Sequence, residues 1–515
     1  MNILKSLFSL SFITLISRIL GFFRDLVIAH IFGVSIYTDA FFLAFKIPNL
    51  LRRLFFEGAF SQSFIPILID YKSNKKINHT KDFIASLLGL IILVLSIIII
   101  LGITFSNYLI EFSAPGFTHS FQKFQISSTL LEIMFPYVLL VSLSSLYSAI
   151  LNSWNYFSIP AISPSILNIT MIIFSIFFNN FFNPSILILS WSVIIGGMIQ
   201  LIYQFPYLLK IKMLMIPKFN FKNAGLLKVV KKIGPSFIGA FANQISLIFN
   251  TIFNSLLNSG SISWMYYADR LIEFPIGVLG VSLSTILFTS LSKSYSKNRL
   301  KEYKKLLHWG FRIAVIFSLP TSIILFILAK PLVIILFQHG KFTDFDVLMT
   351  QKALELYSIG LIAFVLVKIL SSAFYASQEI KIPTRIVLFT LSITQILNPF
   401  LIYYLQHAGL ALSFSIAGWI NFFLLYWKLY QKKLISFNFN QLIFIFRLLT
   451  ATFSMTVFLI FMLYFIPLFD ISSFFTKIIC LFTILFFTGI IYLISLHFLG
   501  ISFLNNLIFN NKSNY

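Results

Sequence analysis

Ser148 to Pro160 reads SAILNSWNYFSIP, and Ser372 to Pro383 reads SAFYASQEIKIP, the same pattern with one gap. Upstream of each, Leu131-Glu132-Ile133 matches Leu354-Glu355-Leu356, and Gly116-Phe117-Thr118 resembles Gly340-Lys341-Phe342-Thr343. Phe45-Lys46-Ile47-Pro48 lines up in the same way with Ile272-Glu273-Phe274-Pro275, and every offset is about 225 residues. A chain that repeats itself at this distance contains two copies of one unit. Hydropathy puts six helices in each copy, an even number, so both copies share one orientation and are related by an axis along the membrane normal.

The surrounding composition supports that reading. Of 515 residues, 58% are hydrophobic and 10% charged, and the mean hydropathy is +0.93. A spanning helix takes about 20 apolar residues, which excludes a soluble enzyme with a single anchor. Hydropathy places spans at residues 7–32, 37–69, 83–107, 125–152, 160–180, 184–208, 234–257, 262–291, 308–329, 350–376, 384–404, 408–427, 442–467 and 475–498, about fourteen in all. The expected fold is therefore an all-α polytopic membrane protein with two pseudo-symmetric six-helix lobes, residues 1–215 and 216–434. Two accessory helices follow in 435–515.

The formal charge of +23 belongs to topology rather than to a nucleic-acid partner. Lys72, Lys75, Lys76 and Lys81, then Lys210 to Lys232, Lys293 to Lys305, Lys381 with Arg385, and Lys428 with Lys432 and Lys433 fall on alternate loops. Lys123, Lys330, Lys341, Lys352 and Lys477 are exceptions near span ends. The positive-inside rule then puts both termini in the cytoplasm. The 64 Phe residues, with abundant Ile, Asn, Lys and Tyr, match the drift of an AT-rich genome, so a single Phe carries little local meaning.

Charges inside spans are costly and normally face a protein interior or a water-filled cavity. Here they cluster. Span 7–32 holds Arg18, Arg24 and Asp25, and the seven-residue spacing of Arg18 and Asp25 puts them on one face, two turns apart. Span 37–69 holds Asp39, Lys46 and Arg53 at seven-residue steps, with Asn49, Arg52 and Glu57 beside them. Span 262–291 holds Asp269, Arg270 and Glu273 and is the repeat partner of span 37–69. A cavity between the lobes would be lined with charge from both copies. Guanidinium forks bind phosphate oxygens bidentately, so the expected substrate is anionic, a phosphate or diphosphate. Pro48 and Pro275 occupy equivalent places in the charged spans, and each permits a bend, hinged or static.

Other motifs are absent. No phosphate-binding Gly-x-x-x-x-Gly-Lys-Ser/Thr loop suggests ATP hydrolysis, and no His-Glu-x-x-His or paired cysteines suggest a metal. Cys480 is the single cysteine, and His30, His79, His308, His339, His407 and His497 are scattered. No cofactor is expected. The drive must be an ion gradient, the membrane potential, or consumption of product on the far side.

The runs SRILGFFRDLVIAHIFG (Ser17 to Gly33) and TDAFFLAFKIPNLLRRLFFEGAFSQSFIPIL (Thr38 to Leu68), then SWMYYADRLIEFPIGVLG (Ser263 to Gly280) and QHGKFT (Gln338 to Thr343), carry a specific resemblance. With them the whole chain resembles the MurJ (MviN) lipid II flippases of the multidrug/oligosaccharidyl-lipid/polysaccharide exporter superfamily. The resemblance implies movement of the undecaprenyl-diphosphate-linked peptidoglycan precursor from the inner to the outer leaflet of the bacterial cytoplasmic membrane, for cell-wall synthesis. It implies that Arg18, Arg24, Arg52 and Arg270 are functional arginines, with Arg24, Arg52 and Arg270 on the diphosphate and Asp25 pairing with an arginine to close a gate. Asp39, Lys46, Asn49, Glu57, Ser263 and Glu273 match cavity positions, and the prenyl groove is associated with the last two helices. Asn250, Thr394 and Asn398 stand where some members hold sodium with acidic residues, so sodium coupling is not carried over. The implied partners are lipid II, membrane lipids and cell-wall synthesis proteins. Three other readings stay open: a flippase for another diphosphate-linked glycan, a membrane glycosyltransferase using Glu132, Glu355 or Asp344, and a purely structural cell-wall scaffold.

Overall fold

The structure is a computed structural model that describes residues 3–53, 61–74, 77–220, 223–435, 439–466 and 473–501. Among these residues the regular secondary structure is entirely helical. Contacts divide the chain into two compact units, Met1–Ser263 with His339–Thr343, and Trp264–Gln338 with Asp344–Tyr515.

The first unit contains α1 (Ile3–Phe32), α2 (Ile36–Arg52), α3 (Ser61–Asn74), α4 (Ile77–Thr104), α5 (Ser106–Ser113), α6 (Phe121–Met134), α7 (Tyr137–Ser153), α8 (Ser158–Phe177), α9 (Leu187–Ile202), α10 (Phe205–Lys210) and α11 (Ala224–Ser255). α12 (Ser261–Pro275) begins there and continues into the second unit. The second unit adds α13 (Ser282–Ser296), α14 (Leu300–Ile327), α15 (Ala329–Phe337), α16 (Asp344–Ala376), α17 (Lys381–Leu405), α18 (His407–Gln431), α19 (Phe439–Phe465) and α20 (Phe474–Phe498).

Local chemistry explains several boundaries. Gly33 ends α1 at φ +64, and its N–H donates to the Ala29 carbonyl, closing the last turn with the residue that enters the left-handed region at least cost. Two residues later Ser35 starts α2 with a reciprocal cap. Its hydroxyl accepts from the Thr38 N–H at 3.3 Å, and the Thr38 hydroxyl accepts from the Ser35 N–H at 2.8 Å. Beyond this cap Asp39 to Ala44 are buried.

The repeat is visible in backbone geometry. After α7, Asn155 turns left-handed and the Tyr156 N–H reaches back to the Leu151 carbonyl at 3.0 Å. After α16, Gln378 does the same and the Glu379 N–H reaches the Phe374 carbonyl at 2.9 Å. Lys212 after α10 and Lys433 after α18 form a second matched pair, with bonds of 2.9 and 3.0 Å from the residues that follow them. These are the six-to-one bonds that satisfy carbonyls left open at a helix C-terminus.

Eleven helical stretches among the described residues are long and apolar enough to cross a membrane. The spans expected at 7–32, 37–69 and 234–257 fall on α1, on α2 with α3, and on α11, which are not among the eleven. Two of these regions carry the embedded charges of the first repeat. Within the span expected at 37–69, α2 and α3 lie on either side of residues 54–60, which fall outside the described residues.

The accessory helices pack on their own unit. Ile316 of α14 lies in one core with Leu448, Ala451, Met455, Tyr492 and Leu496, and the Tyr492 hydroxyl donates to the Ile316 carbonyl at 2.6 Å. Leu328 and Ile335 meet Leu459, Leu481 and Ile484 in a second core. α16 and α18 approach closely because Gly360 and Gly418 leave room for Ser415 and Phe364, the small-residue packing of helices in lipid.

Candidate functional site

In the first unit the embedded charges are held by neighbours distant in sequence. Arg24 is 6% exposed and lies on the face of α1 that packs against α8. Its Nε and Nη2 donate to Asp25 Oδ1 at 3.0 and 2.6 Å, and Nη1 donates to Asn168 Oδ1 on α8 at 3.0 Å. Asp25 is buried and pairs with its own neighbour in sequence. Arg18 is exposed, so the face it shares with Asp25 by spacing does not bring the two into one environment. The reason is axial rise: seven residues separate them by about 10 Å along the helix, enough for one end to be covered and the other not.

On α2 the Lys46 ammonium donates to Thr251 Oγ1 of α11 at 2.9 Å. One turn on, Asn49 Nδ2 donates to the Phe45 carbonyl, and Arg52 Nε donates to Asn49 Oδ1 at 3.4 Å. Arg52 is half-buried and Arg53 exposed. Glu57 lies outside the described residues.

Asp39 forms the densest polar node. Its Oδ2 accepts from Lys123 Nζ at 3.1 Å and from the Gly260 N–H at 2.6 Å. Its Oδ1 accepts from the Ser263 N–H at 3.0 Å and the Ser263 hydroxyl at 2.7 Å. A carboxylate from α2 thus caps the N-terminus of α12, with a buried ammonium from α6 balancing it.

In the second unit Arg270 sits over the Tyr266 ring, with 5.1 Å from guanidinium carbon to ring centre, and donates to the Tyr266 hydroxyl at 3.1 and 3.3 Å. Its Nη1 donates to Glu273 Oε2 at 3.0 Å, one turn along the same helix. The Arg270 side chain is 36% exposed and that of Glu273 62%. Pro275 ends α12, and the π-helical turn Ile276–Val281 follows. Pro48 is buried inside α2, which runs on to Arg52.

The carboxylates weighed for glycosyl transfer are Glu132 on one helix and Asp344 and Glu355 on another. Glu132 on α6 accepts from Ser106, while Asp344 and Glu355, both on α16, accept from Gln338 and Gln351. Asn398 accepts from the Ser413 hydroxyl, and Thr394 is buried one turn away on α17. Among the described residues no group of three His, Cys, Asp or Glu could hold a metal. A polar pocket of about 480 Å³ in the first unit is lined by Tyr71, His79, Asp82, Ser86, Lys218, Asn220 and Asn223, and no arginine lines it.

The chain matches the lipid II flippase MurJ family over residues 28–480. It is 69% identical over 505 residues to the probable lipid II flippase MurJ of Buchnera aphidicola subsp. Schizaphis graminum, covering 98% of each chain. The chain belongs to the MurJ family. It is also 39% identical to the lipid II flippase MurJ of Burkholderia cenocepacia, covering 84% of each chain. Among solved structures, a lipid II flippase MurJ in an inward closed conformation aligns with TM-score 0.78 at 27% identity, over 94% of this chain and 97% of that one. An outward-facing multidrug transporter of the MATE family aligns with TM-score 0.56 at 13% identity over 84% and 97%, a likeness of fold alone. The chain is a multi-pass membrane protein of a transporter family.

Sequence reasoning named the embedded charges but missed partners that hold them: Asn168 for Arg24, Tyr266 for Arg270, Thr251 for Lys46 and Gly260 for Asp39. Lys123 did leave a signal, as an isolated lysine near a span end on the lysine-poor side.

Proposed function

We propose that the chain flips lipid II, the undecaprenyl-diphosphate-linked peptidoglycan precursor, from the inner to the outer leaflet of the bacterial cytoplasmic membrane by alternating access. The observation that carries this reading is Arg270. It is a guanidinium inside a membrane span, stacked on Tyr266 and paired with Glu273, with its side chain 36% exposed. Arginine in that setting stays charged and offers paired donors to a diphosphate. Membership of the MurJ family along nearly the whole chain supplies the substrate class.

In this reading Arg24, Arg52 and Arg270 bind the diphosphate, and Arg18 attracts it from an exposed position. Asp25 holds Arg24 until a phosphate oxygen displaces it. Lys46, Asn49, Glu57 and Glu273 tune the surrounding charge, and the docked α19 and α20 guide the prenyl chain. Carrying a diphosphate outward moves negative charge toward the positive side, and each elementary charge gains about 2.3 kcal/mol per 100 mV. The membrane potential is therefore a sufficient drive without sodium.

The test is expression in a bacterium depleted of its own lipid II flippase, with exposure of lipid II at the outer leaflet as the readout. The parent restores exposure, and Arg270→Ala at matched membrane level does not. Failure of a well-inserted parent, with success on another diphosphate-linked glycan, overturns the substrate assignment.

A further inference from the structure

Three contacts inside the first compact unit join residues of the first sequence repeat to residues of the second. The first is Asp39 with Ser263, 224 residues apart in the chain. The second is Gly116, whose N–H donates to the Ser255 hydroxyl at 3.2 Å at the C-terminus of α11. A Cβ on Gly116 would lie 2.0 Å from the Ser255 carbonyl oxygen, so only glycine permits this approach. The third mirrors the second: the Lys341 N–H donates to the His30 carbonyl at 3.1 Å near the C-terminus of α1. There a Cβ on Gly340 would lie 2.2 Å from the His30 oxygen.

Gly116 and Gly340 are repeat equivalents, as are His30 and Ser255, so the two hairpin tips are exchanged. Each lies on the first helix of the other repeat and covers an open end of that helix. Phe117 and Phe342, next along each tip, are both buried. All three lie at the helix ends away from the lysine-rich loops.

Among the described residues the Asp39 charge is balanced by Lys123, which is 5% exposed and also sits 4.1 Å above the Phe117 ring. Lys123 therefore touches the Asp39–Ser263 contact and one exchanged tip at once. We propose that these three contacts act as one releasable closure on the lysine-poor side of the membrane, and that Lys123 is the positioning residue that sets its strength. The closure rests on the alternating-access reading, in which this side must open for the substrate to leave.

The test is pulsed electron resonance of spin-label pairs in the purified full chain, in a Cys480→Ser background. One pair, Thr118→Cys with Leu256→Cys, brackets the first tip, and a second, Thr343→Cys with Val34→Cys, brackets the other. With Lys123 present, both pairs give a single short distance. Lys123→Met adds a longer distance at both pairs together, and Lys123→Arg restores the short one, which loss of structural support alone would not produce. Unchanged distances in folded Lys123→Met, or a change at one pair only, overturn the proposal. Should Lys123→Met not be recovered folded, Ser255→Ala removes one bond of the closure. It is expected to add the longer distance at both pairs, and unchanged distances there also overturn it. No substrate is needed, so failure here is separable from failure of the parent to expose lipid II in cells.

Discussion

Arg24 and Arg270 bring the same guanidinium into apolar surroundings on different terms. Arg24 is enclosed by Asp25 and Asn168, whereas Arg270 is stacked on Tyr266 and paired with Glu273 at a partly exposed position. Removing one member of a buried ion pair leaves its partner uncompensated and costs about 3–5 kcal/mol. Arg24→Ala should therefore lower the thermal midpoint in detergent and the folded level in membranes. Arg270→Ala should stay within about 0.5 kcal/mol of the parent while abolishing lipid II exposure. Asn168→Ala, which removes one charge-assisted hydrogen bond, should fall between, at about 1.5–3 kcal/mol. The sequence showed which residues were charged inside spans, because that cost is local and visible. It did not show their environment, since Asn168 lies 144 residues from Arg24 in the chain and meets it only through the packing of α8 on α1. Lys123 illustrates the same limit: its position was legible, its burial beside Asp39 was not.

At the scale of elements, α2 depends on a cap and the segment after α10 on a close approach. Loss of the Ser35 hydroxyl should cost about 1 kcal/mol and fray the α2 N-terminus, next to Asp39. Hydrogen exchange at Thr38 to Phe41 in Ser35→Ala reads this as faster exchange at unchanged global fold. The stretch before α11 lies along α4, with the Lys218 N–H on the Ala85 carbonyl at 2.9 Å and the Lys218 ammonium on Asp82 at 2.7 Å. A Cβ on Gly89 would lie 2.2 Å from the Lys218 carbonyl oxygen, so Gly89→Val should displace this strap and expose residues 213–220 to protease. The repeat and its turns were legible because side-chain pattern and backbone geometry coincide at Asn155 and Gln378.

For the whole molecule, membrane class and family were readable from composition and motifs spread along the chain. The lysine-rich loops predict the orientation. A reporter active only in the cytoplasm should score at residues 75 and 298 and at both termini, and fail at 118 and 342. Dissipating the membrane potential should slow lipid II exposure, whereas replacing sodium with choline should not. A sodium requirement would reverse the assignment of the drive.

Twenty-one glycines remain beside 64 phenylalanines in this chain. Glycine codons begin with two guanines, so mutation toward A and T presses on every one, and each first- or second-position change inserts a side chain or a stop. At Gly33, Gly89, Gly116, Gly340 and Gly409 the first added carbon would meet backbone, which no rotamer can clear. The tight junctions between helices are thus also where a drifting genome has least freedom, and purifying selection on this chain should be concentrated in those few codons while its lipid-facing surface continues to change.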